Sequence, residues 1–412
     1  MDVSVYLAMY AKISSCIKTK SKEEISLLNG AYQLRIATAI EELATLWQLV
    51  APSNNEFLQL PYLRFLESRP PNDIHFRYLV FTQNQRPIGI AYCQISELKI
   101  GEALTDTNIS DFRQKVNKAI LKVANMNAIF CGNILLTGQE GCYFSGEIDR
   151  LTQSLLLKEG LDALKNDCKQ KGEHISLVLV KDLTRHKIAS IQPNFGKDYK
   201  EFSIQPKMIL PIRKEWNQFE DYLASMTSKY RVRAKRAFKK GKDIEKRELG
   251  EDSIKAFLPK IDELYRCIAD GAGFNVVTLD GQYFLNFKRH FPNKFRLYGY
   301  FIKGEMVAFY TTFRNHEELE AHFLGFRNET NRHYQVYLNI LYDLIRKGIE
   351  IKAGYINFAR TALEIKSSVG AEPVDLFYLG KHTNPLKNTL FTPILSYFNP
   401  TIEWVQRKPF RE

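Results

Sequence analysis

No apolar run in this chain approaches the roughly 20 residues that a membrane-spanning helix needs. The longest aliphatic stretch, Ile175-Ser-Leu-Val-Leu-Val180, falls far short, so no transmembrane segment is expected. The opening MDVSVYLAMYAKISSCIKTK carries Asp2 where a signal peptide would be positively charged, and Lys12 and two serines break its apolar part. It reads as mature sequence, and a cytoplasmic protein is the expectation. Cysteine is sparse: six in 412 residues, with no CxxC pair and no histidine spaced to complete a zinc site. Reduced thiols, mainly in cores, and no metal are therefore expected. With 22 Gly and 15 Pro the chain is neither collagen-like nor linker-like.

What is present fits a folded protein. Hydrophobic residues make up 45% and charged residues 25%, which excludes a disordered chain, while 27 Phe and 21 Tyr offer anchors for packed cores. At about 150 residues per domain, this length implies two or three domains. The formal charge of +12 is unevenly spread, because Lys229 to Arg247 holds ten Lys or Arg against Asp243 and Glu245, a net of +8. Such a concentration points to a local anionic partner rather than to a surface coated for nucleic acid.

Two stretches share a character at an offset of 219 residues: FRYLVFTQNQRPIGIAY from Phe76 and FRLYGYFIKGEMVAFYT from Phe295. Each reads as a β-hairpin, with a polar turn at Gln83–Arg86 or Lys303–Glu305. Each follows an aromatic-rich helical segment, with Tyr62, Leu63, Phe65 and Leu66 before the first and Leu264, Tyr265, Phe284 and Phe287 before the second. A duplicated module is the simplest reading. After the first hairpin the pattern predicts a helix near 110–128, a strand at Ile134–Thr137, a tight turn over Thr137–Gly146, a helix near 147–171 and a strand at 175–180. After the second it predicts a strand at Glu318–Phe326, an amphipathic helix over Tyr334–Lys347, a strand at Tyr355–Phe358 and a short helix over Ala362–Val369. A break near Ile191–Gln205, marked by Pro193, Gly196 and Pro206, divides the chain into a unit over 1–200 and another over 206–412. The fold class is mixed α/β.

The most informative segment is SMTSKYRVRAKRAFKKGKDIE, from Ser225. Tyr230, Ala234, Ala237, Phe238 and Gly241 share one helical face, and the cations occupy the others. A basic helix over 229–242 can thus dock and still present its charge, with Gly241 as its stop. Solvation is the ordinary role of a charge run; the density here favours anion recognition.

A Lys-Tyr-Arg start followed by a basic helix ending Lys-Lys-Gly resembles the Fem-type transferases, a branch of the GNAT acyltransferase superfamily linked to bacterial peptidoglycan biosynthesis. The stretch INFARTALEIKSSVGAEP, from Ile356, is similar to the closing segment of that group. Together these motifs cover roughly 206–385, and the first half is similar only in outline. The resemblance implies tandem GNAT-like domains, the second of them catalytic, and transfer of an acyl or aminoacyl group to an amine in a cell-envelope or lipid precursor. The donor it implies is acyl-CoA or aminoacyl-tRNA, held where two parallel strands splay apart.

Those strands would be Glu318–Phe326 and Tyr355–Phe358. Period-two alternation sets Glu318, Glu320 and His322 on one face and Leu319, Ala321 and Phe323 on the other. An ammonium has no lone pair with which to attack an acyl carbon, so a base must take its proton. Glu320 and His322 are the candidates, against the alternative that they are exposed residues of an edge strand. Tyr334 is a candidate acid for the leaving group, and Tyr337 a weaker one. For the anionic part of donor or acceptor the candidates are Lys229, Arg231, Arg233, Lys235, Arg236 and Lys239 on the basic helix, with Arg327 and Arg332 beyond the strand. The match also nominates Arg360, Thr361 and Lys366, with Glu364, at a strand end and helix start.

One feature departs from the family pattern. Acetyl-CoA-dependent members place a glycine-rich turn ahead of the helix so that bare N–H groups hold the pyrophosphate. This chain has Arg327-Asn-Glu-Thr-Asn-Arg-His-Tyr334, without glycine. Either the donor is held differently, or the alternative applies: a non-catalytic GNAT-like module that binds tRNA or an anionic membrane surface through its basic helix.

Overall fold

The computed structural model describes residues 24–71, 74–99, 125–270, 277–389 and 403–411. Its strands are β1 (Ile25–Leu27), β2 (Tyr32–Ala37), β3 (His75–Gln83), β4 (Arg86–Lys99), β5 (Asn125–Cys131), β6 (Cys142–Phe144), β7 (Leu177–Leu183), β8 (Lys200–Pro211), β9 (Glu245–Glu248), β10 (Phe295–Ile302), β11 (Glu305–Asn315), β12 (Glu318–Phe326), β13 (Tyr355–Asn357) and β14 (Glu372–His382). They join in one sheet, ordered β1-β2-β3-β4-β5-β7-β14-β8-β13-β12-β11-β10-β9, with β6 beside β4.

Both expected hairpins form. Asn84 and Gln85 in the first turn, and Lys303 and Gly304 in the second, all adopt positive φ, the geometry whose twist matches that of the flanking strands. The order is a repeat about the centre: β2-β3-β4-β5-β7 on one side and β9-β10-β11-β12-β13 on the other. Each series is antiparallel until its last pair, β5 with β7 and β12 with β13, which runs parallel. The halves then interleave. β8 pairs with β13, and β14 crosses back to lie between β8 and β7.

Three expectations are corrected here. Residues 134–137 form a turn, and the strand lies earlier, at β5; a short apolar run has no period to fix its type. Residues 125–128 of the stretch read as helical belong to that strand, and 110–124 lie outside the described residues. The break at 191–205 is instead the end of a helix, Arg185–Phe195, followed by β8 in mid-sheet. Pro206 is tolerated there because the β8–β14 register shifts between the Val374 and Leu376 pairs, where a ladder donor is not needed.

The helices that matter for the site are α1 (Leu60–Ser68), α2 (Arg150–Gln170), α3 (Ser228–Lys240), α4 (Leu258–Ala269), α5 (Gly281–His290), α6 (Val336–Glu350) and α7 (Leu363–Ser367). On one face of the sheet α1 and α5 meet across the repeat axis. Phe65 lies 4.8 Å from Phe287, and Phe57 lies 5.3 Å from Phe313, so a single aromatic core belongs to both halves. Burying each such ring contributes about 1.5–3 kcal/mol, which makes the halves one cooperative body. On the other face α2 covers the first half, and α3 and α6 cover the second. No described helix is long and apolar enough to cross a membrane.

Candidate active site

β12 and β13 pair only from Glu318–Tyr355 to Glu320–Asn357, and beyond that point β12 runs on to Phe326 paired with β11 but not with β13. A splay therefore opens at the carboxyl ends of two parallel strands, the position where backbone ends point into a crevice. The matching splay in the first half is plugged. Beyond the Cys131–Val180 pair, the Lys181 ammonium donates to the carbonyls of Asn133 and Leu136 at 2.8 and 3.0 Å and pairs with Asp182.

Glu318 and Glu320 sit at the root of the open splay, at 5% and 1% exposure. β12 is a central strand, so the edge-strand alternative fails. Asn357 Nδ2 donates to Glu318 Oε1 at 2.7 Å and to Glu320 Oε2 at 2.9 Å. Gln139 and Asn315 add donors to Glu318 at 3.2 and 3.3 Å. Burial pushes the Glu320 carboxyl well above the usual carboxylate range, and the neighbouring Glu318 carboxylate adds to the effect. Lys366, at 4% exposure, donates to the Arg360 carbonyl at 2.6 Å; burial pulls its ammonium down to about 7, against the attraction of Glu320.

Gln139 comes from the first half, in the Gly-punctuated turn read as merely tight. Gly138 makes its approach workable: its φ is +82°, and an added Cβ would lie 2.6 Å from Lys207 Cδ. The same turn donates Gly138 N–H to Asp182 Oδ2 at 2.9 Å, and Tyr378 OH donates to Asp182 Oδ1 at 2.8 Å. Arg360 Nη1 lies 3.5 Å from that phenol oxygen. The loop carrying Arg360 is strained, since Ala359, Thr361 and Ala362 have φ of +55°, +69° and +48°. Each such residue costs about 1–3 kcal/mol, and strain of this kind gathers at functional sites.

A cavity of about 620 Å³ lies between α3 and the segments that follow β12 and β13. Its walls are the basic helix α3, with Lys229, Tyr230, Arg233 and Arg236, then Gln335 ahead of α6, Glu364 on α7, and Arg407. The chains leaving β12 and β13 thus both reach it. α3 docks as its periodicity implies, burying Tyr230, Ala234 and Ala237. Gly241 ends it for a different reason: its φ is −87°, and its missing side chain admits Asn339, whose Nδ2 would lie 2.6 Å from a Cβ there. That amide caps the Ala237 carbonyl at 3.1 Å.

The start of α6 explains how a glycine turn is dispensed with. Asn331 Oδ1 accepts from Tyr337 N–H at 2.9 Å, and Gln335 holds φ +52°. The protein's own side chain thus takes an N–H at the start of the helix. Gln335 Oε1 is buried without a partner at the cavity wall.

The remaining candidates are dispersed. His322 is buried among Tyr283, Phe287, Phe295, Phe313 and Phe323, the nearest ring centroid 4.5 Å away. Its Nδ1 has no partner, and burial lowers its pKa to about 3. It shares a face with Glu320, as alternation requires, but that face becomes aromatic core one step along. Tyr334 ends a short helix, Asn328–Tyr334, against His333 at 4.4 Å. Arg327 pairs with Glu263, and Arg231 turns back to Ser228 Oγ at 3.2 Å. Lys235, Lys239 and Arg332 are exposed away from the cavity wall, and Thr361 is exposed on the strained loop. Asn357 and Gln139 were missed by sequence reasoning, although an Asn inside an apolar strand was itself a signal.

No family model matches the sequence, and no curated protein matches it. Solved structures match by shape. A tandem GNAT protein from the clavulanic acid biosynthesis pathway has TM-score 0.50 at 11% identity, over 85% of this chain and 99% of that one. FemX has TM-score 0.48 at 13% identity, over 90% of this chain and 99% of that one. The C-terminal domain of a putative lysylphosphatidylglycerol synthetase from Agrobacterium fabrum has TM-score 0.43 at 7% identity, over 78% and 88%. The interleaved sheet, its two parallel strand pairs and the match to the tandem GNAT structure define the architecture as a tandem GNAT-like fold.

Proposed function

We propose that the protein is an N-acyltransferase whose donor lies in the open splay of the second half, with its phosphate-bearing part in the basic cavity. The observation that carries this is the parting of β12 and β13 immediately beyond Glu320 and Asn357, with a cation-lined cavity walled in part by the segments that follow both strands. Glu320 is the proton acceptor. It lies at the root of the splay, and burial raises its proton affinity, which strengthens it as a base for an ammonium. Asn357 fixes its orientation, and the buried Lys366 ammonium feels its charge. Lys229, Arg233 and Arg236 hold the donor phosphate; acyl-CoA and aminoacyl-tRNA both offer one. The acceptor is an amine, on a cell-envelope or lipid precursor as the resemblance of the basic helix and of the stretch from Ile356 to the Fem-type transferases implies. His322 and Tyr334 have no part.

The test is incubation of the full chain with acyl-CoA and with aminoacyl-tRNA, scoring amide formation on a panel of amines by mass spectrometry. Product formed by wild type and lost in Glu320→Gln supports the reading; equal rates for both remove Glu320 as the base. The second reading, a binding module without turnover, is favoured by the capped start of α6. Tight, salt-sensitive tRNA or vesicle binding with no product from any donor would select it.

A further inference from the structure

The segment 403–411 lies against the donor cavity and is stapled to two of its walls. Pro409 O accepts from Thr227 N–H at 2.8 Å and Arg411 N–H donates to Ser225 O at 3.1 Å, both beside the first turn of α3. On the other side Arg407 N–H donates to Ser367 Oγ on α7 at 3.0 Å. Phe410 anchors the strap. Its ring lies 5.5 Å from Trp216, 5.9 Å from Tyr222 and under the Arg213 guanidinium at 4.5 Å, and it fills the space that a Gly370 side chain would need.

Arg407 thereby becomes part of the cavity lining, where its guanidinium pairs with Glu364. Glu364 is the one acid among lining residues that otherwise carry Lys229, Arg233, Arg236 and Arg407. Side-chain exposures of 36% and 51% make this a surface-type pair, which is weak. A phosphate offers the same fork geometry with more charge, so it outbids the carboxylate.

We infer that Arg407 is a donor-binding residue supplied by the strap, held on Glu364 in the empty cavity and transferred to the donor's phosphate when the cavity fills. This rests on the reading of the cavity as the donor site. A purely architectural pair and an exchanged one differ in sign. If Glu364 competes with the ligand, removing it tightens binding, whereas removing Arg407 weakens it.

The experiment is calorimetric titration of the full chain with inorganic pyrophosphate, with coenzyme A and tRNA as parallel arms that separate the two sources of phosphate. Arg407→Ala is expected to weaken pyrophosphate binding about tenfold, and Arg407→Lys by less, the size of one charge-assisted contact. Glu364→Gln is expected to tighten it about threefold, and the double variant to match Arg407→Ala. Thermal melts of each variant establish folding, and Arg407→Lys keeps the test valid should the alanine variant not fold. Wild-type binding unchanged by Arg407→Ala, or weakened by Glu364→Gln, overturns the proposal while leaving the acyl-transfer reading intact. No binding of any probe by wild type overturns the proposal together with its donor site. Absence of turnover alongside the expected binding shifts sinks acyl transfer but supports this proposal.

Discussion

Glu320 and Asn357 are the last facing pair before β12 and β13 part, joined by a 2.9 Å hydrogen bond from amide to carboxyl. The bond holds a buried carboxyl at the root of the splay that is not plugged. Replacing Glu320 by Gln keeps the shape and removes the proton acceptor. Acyl transfer by Glu320→Gln should fall about 10²–10⁴-fold in kcat, with the melting temperature maintained at neutral pH.

Lys366 makes stability depend on pH in an unusual direction. Its ammonium is brought down from 10.5 to about 7 by burial, so between those values the unfolded chain binds a proton that the native one does not. Stability therefore rises with pH across that window, and the penalty is complete below pH 7. Lys366→Met should abolish this rise. Denaturant midpoints from pH 6 to 10 check it; parallel curves for the two proteins would refute it.

His322 should prove structural. Its surroundings are rings, and Phe at this position fits the same company, so His322→Phe should retain acyl transfer within about threefold. With the imidazole lowered from 6.5 to about 3, the wild type loses stability as pH falls through that range, because the unfolded chain protonates first. The Phe variant should lack this acid loss. A collapse of activity in His322→Phe would return the residue to the list of bases.

Arg233 and Arg236 face the cavity from α3, while Lys235 and Lys239 do not line it. Alanine at either arginine should raise the donor KM about tenfold with little change in kcat, the pattern of uniform binding loss. Lys235→Ala and Lys239→Ala should stay within twofold, an asymmetry that a diffuse basic face would not produce.

Asp182 ties the first half to the second through Tyr378 and holds the buried Lys181. Asp182→Asn leaves that ammonium unpaired, at a cost of about 3–5 kcal/mol in unfolding free energy. Chemical denaturation measures it, and a loss below 1 kcal/mol would show the pair to be dispensable.

The sequence by itself determined what is local or periodic. The two hairpins were legible because a polar turn between β-rich runs needs no distant partner. The docking face of α3 was legible because its apolar positions recur at helical spacing, and β12 was found with its ends correct. The nomination of Glu320 followed from alternation along the strand that the family resemblance singled out. Only the tertiary structure decided which of the two duplicated splays is open, since that depends on Lys181 plugging one and leaving the other. It also decided that His322, two residues from Glu320, belongs to a core assembled from α5, β10 and β11. Pro206 reads locally as a break, yet lies within β8 because β14 arrives from the far end of the chain to pair beside it. Gln139 and Arg407 reach the site across more than a hundred and about forty residues of sequence respectively, to Glu318 and Glu364. Such contacts are set by the packing of the whole sheet, and no local pattern encodes them.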